Sequence, residues 1–566
     1  MRKIKERLYV ADFETTSKKQ YEIEGCTRVY LYEMKSIDNK EKYLGVNIES
    51  FFDDIKKIKD DIVIYFHNGS GFDFYFILWY ILHLGFTRVE KESELVENSF
   101  CSLITDMKKI YNLKLMINGF KVEFRCSYLI LPCSIKDMGR DFNLEKLNET
   151  HNYEEIKNYN SIDELTDEEL SYIENDVEIL RNAVIYATKN GLNKMTLASS
   201  SFALWKASNY LTYSNLYQIE DEEMKYYIGK SYKGGIVQVN PKYANKIITE
   251  DFISLDVNSL YPFTMKENSM PYGKPKWFDT LDEFNLSSYK KAIIHVYVSH
   301  AKVIDGFIPF IPTKSLSRLG MSYEYNKELN DIHLYLWKEK YELFKLYYEG
   351  EWEEIKVLGF RETNNFFDKY LTQLFKDKEN APNPFMRRIS KLKMNSIYGK
   401  FATKVEQIIS IPYLENDLIK FKTEEDIGKY YPKEIASYIT SQASNHWIKL
   451  VNANPERFIY GDTDSAYLLG TELPTGIEID NKKIGAWKLE HVYSKGKFLK
   501  AKCYIKTIKG EDKINVTVAG MPRECHSLVT YENFKEGFKL EGVKKVAKRV
   551  KGGVIIDTTD FTIKVN

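Results

Sequence analysis

Asp462 and Asp464 stand one residue apart in Tyr460-Gly461-Asp462-Thr463-Asp464-Ser465, a spacing at which two carboxylates could share a divalent cation. Hard cations such as Mg²⁺ take carboxylate oxygens together with substrate phosphates, so the chemistry suggested is phosphoryl transfer. The runs Phe458-Ile459-Tyr460 and Ala466-Tyr467-Leu468-Leu469 are apolar β-formers, which predicts a hairpin with the two acids at its turn. Alone, D-x-D is equally an Asp-rich turn.

Three further groups of residues give the pair a context. Asp256 ends a predicted strand, Phe252-Ile253-Ser254-Leu255, and Val257-Asn258-Ser259-Leu260-Tyr261-Pro262 reads as a helix start whose N–H groups could hold a triphosphate. On a helix over 385–401, Arg387, Lys391, Asn395 and Tyr398 share one face while Phe385, Ile389 and Leu392 lie opposite. Two cations, an amide and a ring suit a nucleotide, although an ordinary amphipathic helix would show the same pattern. Nearer the N-terminus, Asp12 and Glu14 share a strand face, Asp73 follows a buried strand, and Tyr172 and Asp176 share a helix face. Four carboxylates and a tyrosine fit metal-assisted phosphodiester hydrolysis.

The elements that must position these groups are partly legible. Leu8-Tyr9-Val10-Ala11 leads into Asp12, and Ile62-Val63-Ile64-Tyr65-Phe66 reads as a fully buried strand. Phe74 to Leu82 reads as a buried helix, too short to span a membrane. A helix over 167–189 is opened by the capping box Thr166/Glu169 and closed by Gly191. At 566 residues, with 43% hydrophobic and 29% charged, the chain is a soluble multidomain protein. Lys+Arg and Asp+Glu are both 81, so net charge says nothing about a polyanionic partner. Lysine clusters at 495–509 and 535–551 are the candidates for phosphate contacts. None of the six cysteines forms C-x-x-C or has a histidine at zinc-ligand spacing, and acids interrupt any signal-peptide core. A reducing compartment is therefore expected. No G-x-x-x-x-G-K-[ST] loop is present, which disfavours an ATP-driven helicase or packaging role.

Taken together, these residues resemble the family B DNA polymerases. Asp256 to Pro262 is similar to motif A, Lys391 to Gly399 to motif B, and Tyr460 to Ser465 to motif C, in family order. The nearest likeness is to the protein-primed subgroup of small tailed bacteriophages. Tyr232-Lys233-Gly234-Gly235 resembles its Y-x-G-G element, and Lys502-Cys503-Tyr504 its K-x-Y element. The resemblance implies that Asp256 and Asp464 hold two metals with Asp462 assisting, in an in-line displacement. It implies that Lys391 neutralises the triphosphate, that Asn395 and Tyr398 position the nucleotide, and that Tyr261 excludes a 2′-hydroxyl. Tyr232, Gly234, Gly235, Lys502 and Tyr504 would contact DNA. Asp12 and Glu14, Asn68 and Asp73, and Tyr172 and Asp176 resemble the three proofreading exonuclease motifs; Asn68, Phe72, Ser127 and Tyr153 would touch the frayed strand.

The fold class implied is a multidomain α/β and α+β protein. An RNase H-like 3′–5′ exonuclease domain (1–195) precedes a right-hand polymerase domain with two terminal-protein-type insertions. Its parts are palm (196–266 and 434–521), insertions (267–364 and 403–433), fingers (365–402) and thumb (522–566). The second insertion, which has hairpin-like features, would help encircle DNA and give processive, strand-displacing synthesis. Implied cofactors are Mg²⁺ or Mn²⁺, two per active site. Implied partners are template and primer DNA, dNTPs, a terminal protein and a single-stranded-DNA-binding protein, for a monomer in the host cytoplasm. Two departures bear on proofreading: the subgroup's Ser-Leu pair is Ser127-Tyr128, and its catalytic-domain Lys aligns with Asn148, for which Lys146 could substitute after a small shift. The competing reading is a nuclease or DNA-binding protein whose second half only grips nucleic acid, which would require a missing residue in motif A, B or C.

Overall fold

The computed structural model describes residues 7–144, 146–147, 156–317 and 320–564. Two large sheets organise the chain, and each carries one of the carboxylate groups.

The N-terminal sheet has eight strands, with Arg7–Thr15 and Ile62–Phe66 adjacent and parallel near its centre. Ile62–Phe66 is buried along its whole length between two parallel neighbours, the second being Phe120–Cys126, which is why it reads as an unbroken apolar run. Strand alternation separates the two faces. Tyr9, Ala11, Phe13, Ile64 and Phe66 pack with the helix Asp73–His83, and Val10, Val63 and Tyr65 pack with the helix Asp167–Lys189. Asp12, in phase with Val10, therefore faces the second helix. That helix has the expected bounds. Thr166 and Glu169 form the capping box, and Gly191 takes a φ of 71° just beyond its end.

The second sheet is antiparallel, in the order Ile514–Val518, Cys503–Ile508, Trp487–Lys500, Phe252–Val257, Ser465–Leu469, Phe458–Asp462, Val237–Val239. Ile253, Leu255, Val257, Phe458, Ala466 and Leu468 bury against Trp447, Ile448 and Val451 of the helix Lys433–Ala453. The opposite face carries an aromatic layer of Phe252, Tyr460, Tyr467, Tyr493, Phe498 and Tyr504. Asp256 is in phase with Phe252 and so lies on the face away from the helix.

Between the two strands that carry Asp256 and Asp464, the chain builds a four-stranded sheet from Met270–Phe278, Lys291–Val303, Glu328–Trp337 and Tyr348–Thr363. The helix Pro384–Phe401 follows, started by Asn383, whose side chain accepts from the Met386 N–H, and by Pro384. The hairpin Glu406–Glu415/Leu418–Ile427 turns through Asn416 and Asp417, both at positive φ.

That turn joins distant parts of the chain. The Trp79 indole N–H donates to the Asp417 carbonyl at 2.9 Å, and Lys551 pairs with the Asp417 carboxylate at 2.8 Å. Lys551 lies at the tip of the C-terminal hairpin Lys539–Val550/Gly553–Thr562, where its carbonyl accepts from Thr27 N–H at 3.0 Å. Gly552 sits at that contact because a Cβ there would stand 1.9 Å from the Thr27 carbonyl oxygen. The first sheet, the mid-chain hairpin and the C-terminal hairpin thus meet at one place. Among the described residues no helix is long and apolar enough to cross a membrane, and all six cysteines are free thiols.

Candidate active site

Asp256 and Asp464 meet because their strands pair. Asp256 lies opposite Ser465 in the register, and the Val257 N–H donates to the Asp464 carbonyl at 2.8 Å. The hairpin turns through Thr463, at φ 61°, and Asp464, with Asp464 N–H on the Asp462 carbonyl at 2.7 Å. A threonine is tolerated at a position that favours glycine because Gly235 lies directly beneath it. The Thr463 N–H donates to the Ile236 carbonyl at 2.8 Å, and a Cβ on Gly235 would stand 2.4 Å from Thr463 Oγ1. Gly461 is likewise required, since its Cβ would fall 2.3 Å from the Trp447 ring, whose N–H donates to the Ser465 carbonyl at 3.0 Å.

Both carboxylates line a cleft of about 940 Å³ together with Tyr261, Arg387, Lys391 and Asn395. Burial, then the charges of Asp464 and Glu490, push the Asp256 carboxyl up to about 7, against the pull of Lys391 and Lys488. Asp464 is raised too, by burial and by Asp462, with Lys391 and Lys502 opposing. Tyr261 and Tyr398 stack with ring centroids 4.2 Å apart, so Tyr398 supports the ring that reaches the cleft wall.

Asp462 is placed differently from its partner. Its carboxylate pairs with Lys502 Nζ at 2.8 Å and accepts from Thr463 Oγ1 at 3.1 Å, and it does not line the cleft. In the structure the Asp462 carboxylate is turned toward Lys502. Lys502 is itself at positive φ, and its N–H donates to the Tyr460 hydroxyl at 3.0 Å. Tyr504, expected to contact DNA, is 9% exposed and stacks on Phe498 within the aromatic layer, so it supports that surface from beneath. Tyr232 is half-buried under Lys433, whereas Gly234 is exposed with open space around it. The lysine cluster at 495–509 also divides. Lys497 is buried, and Lys506 turns into the tyrosine layer, with Nζ donating to the Tyr467 hydroxyl at 2.6 Å.

Sequence reasoning missed Lys378, Lys482, Lys483, Lys488 and Glu490 on the cleft wall. For Lys488 a signal existed in hindsight: it pairs in register with Asp256 on the neighbouring strand. Lys483 is brought in by Asn258, whose side-chain amide donates to the Asp480 and Lys483 carbonyls at 2.7 and 3.1 Å.

In the N-terminal domain Asp12, Glu14, Asp73 and Asp176 also converge. Burial raises the Asp12 carboxyl well above the usual range, and the charges of Asp73, Glu14 and Asp176 add to it, with Lys146 opposing. Asp73 rises to about 7 through burial, although the N–H groups of Asp73 and Phe13 donate to its carboxylate. Lys146 Nζ pairs with Asp176 at 2.8 Å and lies 5.1 Å from the centre of the Tyr172 ring. Lys146 thus lies in this cluster, while Asn148 lies outside the described residues. Asn68 is exposed at φ 60°, and Phe72 is half-buried against Phe76. Ser127 is fully buried, bonded to the Phe66 carbonyl at 3.1 Å and His67 Nδ1 at 2.9 Å. Its neighbour Tyr128 is exposed. Tyr153 lies outside the described residues.

Both clusters offer hard carboxylate oxygens crowded enough to resist full ionisation. Among the described residues no three His, Cys, Asp or Glu side chains form a finished ligand cage. Mg²⁺ fits such a donor set, because it is held by one or two carboxylates and completed by water and substrate phosphates.

The packing beneath the turn predicts a contrast. Gly235→Ala should destabilise by about 1–3 kcal/mol through overpacking against Thr463, seen as a lower thermal midpoint. Gly234→Ala, with nothing within 4 Å, should leave the midpoint unchanged.

The sequence and structure were compared with known proteins. The family model described as DNA polymerase type B, organellar and viral, matches residues 54–163 and 144–482. The chain is 30% identical to the DNA polymerase of Bacillus phage phi29 over 609 aligned positions covering 100% of both chains. It is 29% identical to that of Streptococcus phage Cp-1, with 98% of each chain covered. The structure of the phi29 DNA polymerase complexed with primer-template DNA and incoming nucleotide substrates superposes with a TM-score of 0.89, at 28% identity, covering 99% of this chain and 100% of that one. With the family model matching most of its length and relatives matching all of it, the chain belongs to the type B DNA polymerases of organelles and viruses.

Proposed function

We propose that this DNA polymerase extends a primer strand at the Asp256–Asp464 cleft and trims it at the Asp12–Asp176 cluster by 3′–5′ hydrolysis. The observation that carries the reading is the pairing of the two strands, which sets two buried, mutually repelling carboxylates against a wall rich in cations. Asp256 and Asp464 would hold Mg²⁺ or Mn²⁺, two per site, which when bound activate the attacking oxygen and stabilise the leaving group. Lys391 and Arg387 attract the triphosphate, and Asn395 fixes its orientation. Tyr261, backed by Tyr398, would abut the sugar and exclude a 2′-hydroxyl. Asp462 holds the Lys502 ammonium beside the turn, where it can take a primer phosphate. In the hydrolytic cluster, Asp12, Glu14, Asp73 and Asp176 would hold the corresponding cations. Lys146 and Tyr172 orient the attacking water, and Asn68 and Phe72 guide the frayed end. Template and primer DNA and dNTPs are the substrates, as in the phi29 complexes with primer-template DNA and nucleotides.

Asp464→Ala should abolish incorporation yet leave cation-dependent degradation of single-stranded DNA, while Asp12→Ala with Glu14→Ala should do the reverse. Loss of both activities from either change, in a folded protein, would refute two separate sites.

The raised Asp256 carboxyl sets a pH dependence. Below about 7 a proton competes for the carboxylate, so cation affinity should rise with pH by up to about tenfold per unit and level off above it. A Mn²⁺ titration of the Asp12→Ala, Glu14→Ala variant, followed by paramagnetic resonance, reads this site with two of the four carboxylates of the other cluster removed. An affinity unchanged from pH 6 to 8 would count against Asp256 as a ligand.

Initiation on a terminal protein, with help from a single-stranded-DNA-binding protein, is proposed from the likeness of Tyr232–Gly235 and Lys502–Tyr504 to the elements of the protein-primed subgroup. Incubation with a candidate terminal protein, labelled dATP and origin DNA should yield a covalent nucleotide–protein adduct. Its absence, with primer extension intact, would favour a nucleic-acid primer.

A further inference from the structure

A small cavity of about 90 Å³ lies behind the Tyr232–Gly235 segment, apart from both carboxylate clusters. Its walls come from the helix Glu222–Ser231, the strand Glu328–Trp337, the helix Lys338–Tyr347 and the helix Lys433–Ala453. Lys230, Lys233, Lys340 and His333 line it, and no acidic side chain among the described residues does.

Lys340 is the unusual member. It is 7% exposed, and its Nζ donates to Ser444 Oγ at 2.9 Å, with no carboxylate paired to it among the described residues. Burial and the charge of Lys233 lower it to about 8. Burying an unpaired ammonium costs several kcal/mol. One ammonium carries three donors, and the hydroxyl accounts for one.

A second observation points into the same space. The Ser441 hydroxyl, on the cavity wall in a residue 6% exposed, has no hydrogen-bond partner among the described residues. A third concerns His333. Its Nδ1 lies 2.9 Å from His295 Nε2, and His295 Nδ1 lies 2.8 Å from the Tyr227 hydroxyl. With the tyrosine donating, the chain of hydrogen bonds runs toward His333 and leaves its Nε2–H as the remaining donor. The polar side chains of this partly apolar wall are thus all cationic or neutral donors, around room for a few waters or one tetrahedral oxyanion.

We propose that this cavity binds a phosphate-class anion, held by Lys340 Nζ and the Ser441 hydroxyl and surrounded by Lys230, Lys233 and His333. The phosphate has two possible sources: a free inorganic ion, or a backbone phosphate of a strand passing over the exposed Gly234. The site shares no residue with either carboxylate cluster, although Gly234 at its edge belongs to the segment expected to contact DNA.

The test is calorimetric titration of the full chain without divalent cation or nucleotide. One series uses inorganic phosphate and a second uses a single-stranded oligonucleotide lacking a terminal phosphate. Wild type should bind at least one of them at this site. Lys340→Met should weaken that binding about tenfold or more, and Ser441→Ala by severalfold. Without ligand, Lys340→Met should keep or raise the thermal midpoint, because it removes a buried charge. Should it fail to fold, Ser441→Ala decides. Loss of the phosphate signal alone identifies a free-ion site. Loss of oligonucleotide affinity, with inorganic phosphate competing in wild type, identifies a strand phosphate. Either supports the proposal. It is overturned if neither ligand binds, or if both folded variants bind both ligands as wild type does.

Discussion

Crowding of like charges at the ends of paired strands is the constraint on which this molecule depends. Asp256 and Asp464 are brought together by the ladder between Phe252–Val257 and Ser465–Leu469, and that ladder has no freedom to separate them. The N-terminal domain meets the same constraint differently, with one strand, one helix start and one helix face supplying Asp12, Asp73 and Asp176. In each place burial and mutual repulsion raise the carboxyls, and lysines oppose the rise, Lys391 in one and Lys146 in the other. A site so poised prefers protons or cations to bare charge, which is the condition for cation-assisted phosphoryl chemistry.

Holding repelling groups at fixed distance requires stiff packing behind them. The turn at Thr463 rests on Gly235 on one side, and its preceding strand rests through Gly461 on Trp447. Each glycine is there for the atom it lacks. The helix Lys433–Ala453 connects this support to the rest of the fold, because its residues back the sheet and also wall the small basic cavity near Gly234. The meeting of the hairpin Glu406–Glu415/Leu418–Ile427 with Trp79 and Lys551 ties the two domains at a second point.

Most regular elements were legible because their signals are local. The capping box fixed the start of Asp167–Lys189, and the unbroken apolar run marked Ile62–Phe66 as buried on both faces. The mid-chain hairpin was only suggested, since its turn is Asn416-Asp417 and lacks the glycine that usually marks such a loop. Ser127 and Tyr504 were expected at DNA from the family resemblance, which rests on residue type and spacing. It does not say that the Ser127 hydroxyl is already taken by Phe66 and His67.

The sequence alone determined the identity and order of the carboxylates, the amphipathic face of Pro384–Phe401 and the two-domain plan, since spacing along one strand or helix is set by backbone geometry. Only the tertiary structure decided which of Asp462 and Asp464 enters the cleft, that Lys146 reaches Asp176, and that Lys488, Glu490 and Lys483 complete the wall. Those outcomes depend on contacts between segments far apart in the chain, whose energies compete across space. No local pattern records which partner wins.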